Sequence, residues 1–526
     1  MIKLAPIFQS GMVLQRQKPI RIWGETSGQQ TITAWIENDA RDDSNQTEPV
    51  SVHAGGAFEL FLPSEEAAEN VRLHVKGSED DELILDQVDI GEVWVAGGQS
   101  NMEFMLQYDR EADTIIPQDT DEHFRFFDVG EFCFEGEREE NLKFLASHWD
   151  TWHAFEPAEA PYFSAVSTFF ALKLRDKLQI PVGIVGCNWG GTSASCWVPE
   201  EDLREDDKLK VYMEEYDAAF SEIKDLEKYY QSDAAYRART NSETGQKTSD
   251  NIMKNESVKP ASPLLKVIMP IFLKMHPMGP HHEWRPAGVY YTMLRPIAGF
   301  TARGFLFYQG CSDDTHAKTY AHLMEVLIRR WRKDWKEELP FLFVQLAPFG
   351  EWNASTGKNY PILRAQQQYA ADHIPNCHMA SIMDAGSRYD IHPKTKRQPG
   401  ERLAALALHY VYQDPETTVF EAPRIRKVQR DGDRLIVKFD YAPEGLELVP
   451  NDSEFSGLDF LFRVWADRKA VKFHAEIEED TVILSSPKIQ EAKEVYLSFA
   501  NRPYCIVNLK AKNGFPARPY PKRKVV

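Results

Sequence analysis

Between Val93 and Glu103 the chain changes character twice, and few folds accommodate those changes. Val93-Trp94-Val95-Ala96 is wholly apolar, with β-branched and aromatic residues that suit a short buried strand. Gly97-Gly98 then allows a tight turn, and Ser100 stands at its far lip. From Asn101 the residues Met102, Glu103, Phe104, Met105 and Leu106 can open a helix, with Ser100 or Asn101 as its cap. A serine at such a turn presents its hydroxyl beyond the sheet edge, where a helix N-terminus offers N–H groups to an oxyanion. Taken alone, the stretch reads more simply as a glycine turn followed by a capping serine.

The same alternation recurs downstream. Apolar residues at helical spacing over 163–178 lead through Pro181 into the buried strand Val182-Gly183-Ile184-Val185-Gly186-Cys187. A strand at 304–308 precedes a loop, and a helix over about 320–335 precedes a strand at 341–345. Strands alternating with helices predict a parallel sheet with helices on its faces, whose active site collects at the carboxyl ends of the strands. Residues 1–90 read instead as all-β, with period-two runs at 20–24, 31–36, 57–62 and 71–75 separated by turns at 25–28 and 53–56. The β pattern returns over 416–526. The expected organisation is therefore an N-terminal β domain at 1–90, an α/β domain at 91–415 and a C-terminal β domain at 416–526. Residues 200–285 interrupt the α/β rhythm as an insertion, helical over 209–230 and a polar mobile loop over 231–259, placed to lid a site.

The chain has 526 residues with a formal charge of −19, from 61 basic and 80 acidic side chains, which argues against nucleic-acid or anionic-membrane partners. It contains no apolar run long enough for a transmembrane helix. Pro6, Gln9 and Ser10 interrupt the N-terminus before a secretory apolar region forms, so a cytoplasmic location is the simplest expectation. The cysteines, at 133, 187, 196, 311, 377 and 505, are scattered and read as free thiols rather than a disulfide framework or zinc site.

Three further segments fall at expected strand ends. Asn188-Trp189-Gly190-Gly191-Thr192 follows the strand at 182–187, and its glycines let a backbone N–H approach a reacting carbonyl. Tyr308-Gln309-Gly310-Cys311 holds an amide that can donate a second oxyanion bond, with Asp313 and Asp314 expected to be solvated or capping. Asp384-Ala385-Gly386-Ser387-Arg388-Tyr389-Asp390-Ile391-His392-Pro393 holds a histidine that can act as general base, two residues after a carboxylate able to orient it. Each segment by itself also reads as an ordinary polar turn.

In chain order these blocks are GGQSN, NWGGT, YQG and DxGxxxDIHP, an arrangement that resembles the SGNH (GDSL-like) hydrolases and, more narrowly, the sialate O-acetylesterase family. Residues 6–16 resemble that family's opening signature, and residues 285–290 and 400–404 also match its pattern, so the resemblance covers most of the chain. It implies a three-layer α/β/α parallel-sheet domain flanked by β-sandwich-like domains. It implies Ser100 as nucleophile and His392 as base. The implied oxyanion donors are the Ser100 N–H, a backbone N–H at Gly190 or Gly191, and the Gln309 side chain. Many relatives place the acid three residues before the histidine, but that position is Tyr389 here. Asp390 is then the first choice, Asp384 the second, and a serine–histidine dyad aided by a backbone carbonyl the third. Two further departures are Cys311, where the family usually carries Glu, and Tyr291, where it commonly carries Asn.

The expected reaction is removal of O-acetyl groups from acetylated sugars, sialic acid or hemicellulose-derived, through an acetyl-serine intermediate, with no metal or cofactor required. Two alternatives remain from the residues. One is a metal-dependent hydrolase using His276, His281, His282 and Glu283, though Pro277 and Pro280 make that segment a loop. The other is a catalytically impaired carbohydrate-binding scaffold, with Cys311 marking decay.

Overall fold

Strand Glu82–Gly98 runs without a break through residue 90, where a domain boundary was expected. Its burial changes along its length: up to Gln87 the residues are half-buried or exposed, and from Val88 onward every one is buried. The first part pairs antiparallel with Ala68–Gly77, Val75 opposite Leu83. The last part pairs in parallel with Val182–Asn188, from Glu92 opposite Val182 to Gly98 opposite Asn188. Sheets of the parallel kind are covered on both faces, which accounts for an apolar run where the antiparallel part alternates.

The computed structural model describes the chain apart from residues 41–45, 79–80, 118, 135, 138–147, 241, 261, 265, 269–275, 354, 452, 513 and 526. It is a mixed α/β structure built on a large mixed sheet. Two compact units, interleaved in sequence, share the chain: Met1–Lys254, His276–Phe307 and Glu325–Phe341 form the first; Asn255–Met275, Tyr308–Met324 and Leu342–Val526 form the second.

In the first unit, Val182–Asn188 also pairs in parallel with Asp121–Asp128. Helix Ala165–Leu178 starts where Ser164 accepts the Ser167 N–H at 3.2 Å and stops at Gln179, which is left-handed at φ 53. Its Phe170 meets Trp94 edge-on at 5.2 Å. Three positions further along the strand, and so on its other face, Gly97 receives the ring of Trp331; a Cβ there would stand 2.6 Å from that ring. Trp331 is held by its own N–H, which donates to the Trp197 carbonyl at 3.1 Å.

Two expectations for this unit change. The presumed turns at 25–28 and 53–56 lie inside the continuous strands Ile20–Glu37 and Val50–Leu62. They face each other across the ladder, whose register slips between Thr26 and Gln30 while Thr26 stays opposite Gly56. Gly28 at φ +136 and Gly56 at φ +103 absorb the slip, so two glycine-bearing segments opposite one another make an irregularity instead of two turns. The presumed mobile loop at 231–259 is mostly helical, since helix Leu226–Thr240 is followed by Glu243–Lys254. Its Lys, Arg, Ala, Gln and Glu favour helix without supplying a wide apolar stripe, and only Tyr229 and Asp233 are buried in the first of the two. Part of the 200–285 insertion lies outside the described residues.

In the second unit, strands Phe341–Val344 and Cys377–Ala380 are neighbours, accompanied by helices Tyr360–His373 and Arg397–Tyr410. Buried Arg364 lies among carbonyls, donating to Leu346, Ala347 and Pro503 at 2.8–2.9 Å. Towards the C-terminus two antiparallel four-stranded sheets bury a common core that includes Val437, Phe439, Leu484, Val464, Leu497 and Phe499. None of the six cysteines forms a disulfide. Among the described residues no helix is long and apolar enough to cross a membrane.

The Gly97 contact is testable. Gly97→Ala drives a methyl into a buried indole and is expected to lower unfolding stability by about 1–3 kcal/mol, read as a reduced urea midpoint. An unchanged midpoint would mean that the ring yields.

Candidate active site

Ser100 heads a single helical turn, Ser100–Glu103, directly beyond the buried strand. It is the first helical residue and not the cap. Gln99, extended at φ −121, holds the cap position, and its carbonyl accepts the Met102 and Glu103 N–H groups at 2.7 and 3.1 Å. The backbone thus does the capping that sequence assigned to Ser100 or Asn101.

The parallel register sets Asn188 beside Gly98, and the Trp189 N–H donates to the Gly98 carbonyl at 3.1 Å. The glycine loop therefore leaves the sheet next to the serine turn. A Cβ on Gly190 would stand 3.4 Å from the Ser100 Cβ and 3.0 Å from Glu103 Oε2. Gly191, at φ +78, lies under the indole of Trp284, whose N–H donates to the Gly190 carbonyl at 3.1 Å. Thr192 braces the loop, donating to the Trp189 carbonyl at 2.7 Å and accepting the Trp197 N–H at 3.0 Å. The Gly190 N–H itself donates to the Glu103 carboxyl.

Glu103 belongs to a group that sequence reasoning missed. Burial holds its carboxyl above the ordinary range, against the opposing Gly190 hydrogen bond. Burial, then Glu103 and Asp150, pushes Asp128 up to about 7. Burial, then Glu103 and Asp128, holds Glu131 well above the ordinary range. The three face a cavity of about 1080 Å³ that reaches Trp189 on one side and helix Glu243–Lys254 on the other. Carboxyls with perturbed proton affinity in a cleft are a recognised sign of a functional site. The available signal was the spacing of Glu103, one turn after Ser100.

The remaining expected residues lie in the second unit. Gln309 is buried, with its amide oxygen accepting from Tyr320 at 2.9 Å and its amide nitrogen donating to Asp313 at 2.6 Å. Asp313, expected at the surface, is wholly buried and fixes which way that amide points. His392 is buried, and its Nδ1 stands 3.7 Å from Asp390 Oδ1, outside hydrogen-bond reach. Asp390 instead accepts the His392 backbone N–H at 2.8 Å and the Ser257 N–H at 3.3 Å, and pairs with Lys394 at 3.1 Å. Asp384 is taken up elsewhere: Arg402 grips it at 2.7 and 2.9 Å and Lys510 at 2.8 Å. Tyr291, the departure in the first unit, ties helix Glu200–Arg204, accepting the Glu200 N–H at 3.1 Å and donating to Glu201 at 2.9 Å.

The histidine-rich loop does come together, but as a stack. His276 Nε2 meets Glu283 at 3.2 Å, and its ring lies on Tyr236 at 4.0 Å and on His282 at 4.4 Å with 28° between planes. Donor atoms of His276, His282 and Glu283 fall within 4.8 Å of one another. A metal, however, sits about 2 Å from each ligating nitrogen and in its ring plane, and rings stacked so nearly parallel cannot both aim at one ion. His282 Nδ1 moreover accepts the Trp284 backbone N–H at 3.1 Å, and His281 stacks on Phe134 instead.

A family model described as carbohydrate esterase, sialic acid-specific acetylesterase, matches residues 279–409. Sialate O-acetylesterase of Mus musculus is 24% identical over 476 residues, covering 84% of this chain and 79% of that one. The Homo sapiens sialate O-acetylesterase is 22% identical over 461 residues, covering 81% and 74%. A carbohydrate acetylesterase from Xanthomonas citri superposes with a TM-score of 0.72 at 25% identity, covering 99% of both chains. Residues 279–409 thus match the sialic acid-specific acetylesterase model, and the chain as a whole is similar to sialate O-acetylesterases. The segment matched by the family model contains Gln309, Asp390 and His392, whereas Ser100 and the glycine loop precede it.

The role of Asp384 can be checked. Burial alone would raise its pKa, but Arg402 and then Lys510 outweigh burial and hold it below the ordinary 3.8. Asp384→Asn should cost about 3 kcal/mol near neutral pH, seen as a lower thermal midpoint. A carboxylate with depressed pKa stabilises above its unfolded value, so the deficit should shrink as pH falls through about 3.8.

Proposed function

We propose that the protein is a serine carbohydrate esterase that removes O-acetyl groups from acetylated sugars, of sialic acid or hemicellulose type. The observation that carries this reading is the turn at the carboxyl end of a buried parallel strand, where Ser100 heads a helix beside the Gly190-Gly191 loop. The finer fold reading is a three-layer SGNH domain with flanking β-sandwich-like domains. Its support is that Trp94 and Gly97, on opposite faces of one strand, meet Phe170 and Trp331.

In this mechanism His392 takes the Ser100 proton while Ser100 Oγ attacks the acetyl carbonyl. The tetrahedral oxyanion collapses, expelling the sugar alkoxide, which receives the proton from His392. Water activated by the same imidazole then attacks the acetyl-serine and frees acetate. Proposed oxyanion donors are the Ser100 N–H, a glycine-loop N–H and the Gln309 amide, each worth about 3 kcal/mol in the transition state. Because the Gly190 N–H already serves Glu103, Gly191 is the better backbone candidate. Asp390 is the proposed orienting carboxylate; its 3.7 Å separation suits a bond that tightens only with substrate bound. A serine–histidine dyad is the alternative. His392 fits a base at neutral pH, since burial, then Lys396 and Lys394, holds its pKa well below the ordinary 6.5 and keeps it neutral.

Ser100→Ala is expected to lower kcat/KM on acetyl esters by about 10⁴-fold and to abolish fluorophosphonate labelling. Wild-type turnover by that variant would overturn the serine mechanism, and a wild-type protein that resists labelling yet binds sugar would be an inert scaffold. The pH profile offers an independent check. A neutral His392 is the active form, and with its pKa depressed it persists below pH 6.5, so kcat/KM should hold its plateau through 6.5 and fall only at lower pH.

A further inference from the structure

We infer that Trp284 is a positioning residue for the oxyanion: it grips the peptide between Gly190 and Gly191 so that the Gly191 N–H becomes the glycine loop's donor. The role rests on the esterase reading and is exerted through the backbone. The indole N–H donates to the Gly190 carbonyl at 3.1 Å. The peptide is trans, and in a planar trans unit the carbonyl of one residue and the N–H of the next point in opposite directions. Drawing the Gly190 carbonyl towards the indole nitrogen therefore turns the Gly191 N–H away from it.

The unit is held from both sides. A Cβ on Gly191 would stand 2.4 Å from the indole nitrogen, so only glycine admits the ring this close. On the other side the Gly190 N–H donates to the Glu103 carboxyl, and a Cβ on Gly190 would stand 3.4 Å from the Ser100 Cβ. Both polar backbone groups of Gly190 are thus spent, one on Glu103 and one on Trp284. The Gly191 N–H, by contrast, has no acceptor among the described residues, and the residue is only half-buried. It is a free, reachable donor one residue along from the glycine that touches Ser100. A preorganised N–H of this kind is what an oxyanion requires, because no reorientation is then needed as charge develops.

The indole is anchored in turn by the histidine-rich loop, which gathers without the geometry a metal needs. The Trp284 backbone N–H donates to His282 Nδ1 at 3.1 Å, and its carbonyl accepts the Cys196 thiol at 3.4 Å. His282 stacks on His276 at 4.4 Å, and His276 stacks on Tyr236 at 4.0 Å and meets Glu283 at 3.2 Å. Burial pushes His282 down to about 4, so Nδ1 remains an acceptor at neutral pH. Cys196 belongs to the turn Ala194–Trp197 just past the glycine loop, and the Ser195 carbonyl in that turn accepts the Ala287 N–H at 2.9 Å. Residues 282–287 are therefore tied at two points to the continuation of the loop they brace. The histidines serve the reaction by packing and backbone hydrogen bonding, not by ligation.

Turnover of p-nitrophenyl acetate by the full chain tests this. Trp284→Phe keeps a ring over Gly191 and removes the N–H, so kcat should fall by about tenfold or more while the thermal midpoint stays close to wild type. Acylation and deacylation both pass through an oxyanion, so KM should move by less than about twofold. The rate of fluorophosphonate labelling at Ser100, which also builds negative charge on an oxygen in the hole, should fall by a similar factor. His282→Ala removes the acceptor for the Trp284 backbone and should lower kcat several-fold, whereas His282→Asn, whose amide oxygen can take the place of Nδ1, should restore most of it. Wild-type kcat in Trp284→Phe, a loss confined to KM, or a loss matched by a fall in folded protein would overturn the role. If Trp284→Phe does not fold, the His282 pair decides: rescue by asparagine supports the role, and equal kcat in the two variants overturns it. A wild-type protein with neither turnover nor labelling sinks the esterase reading and this role together. An active, labelled wild type whose rates Trp284→Phe leaves unchanged sinks this role alone.

Discussion

The ring of Trp331 lying against Gly97 is the contact on which the serine turn depends. A side chain at position 97 would push the indole away, and the indole is itself fixed by the Trp197 carbonyl. The strand can therefore stay close-packed up to its last residue, where Gly98 adopts φ +144 and the chain turns directly into the Ser100 helix. The neighbouring loop obeys the same rule, with Gly191 lying under Trp284 as Gly97 lies under Trp331. Two indoles resting on two glycines bring the backbone of both loops within reach of one serine.

The acidic side chains of this chain are sorted by what surrounds them. Asp384 has two cations and is a structural anion. Asp313 is spent on aiming the Gln309 amide, and Asp390 on holding backbone N–H groups and Lys394. Glu103, Asp128 and Glu131 have no comparable cationic partner among the described residues, so burial dominates and raises their proton affinity. Identical functional groups thus perform three different tasks, and none of the three follows from residue type.

Much of the architecture is legible in the chain. The buried runs at 93–96, 182–187 and 304–308 are strands, the helices at 165–178 and 320–335 lie within a few residues of expectation, and the C-terminal β pattern is two antiparallel sheets around one core. The misreadings share a cause. Glycines at 28 and 56 look like turns until they are seen opposite each other in one ladder. The polar stretch after 230 looks like a loop until its helix propensity, which needs no apolar stripe, is given a cavity to cover.

Sequence by itself determined the local order of the chemistry: a buried strand running into a glycine pair, a serine at the far side of that turn, and a helix opening beside it. Those outcomes depend on residues a few positions apart, whose sterics and hydrogen bonding are settled by the chain's own covalent geometry. Tertiary structure alone decided which carboxyls are paired and which are buried without a cation, that Asp384 belongs to Arg402 and Lys510, and that Gln309 is aimed by Asp313. Electrostatic environment is a sum over neighbours distant in the chain, and a carboxyl reads the same in sequence whether a guanidinium or a cavity lies in front of it.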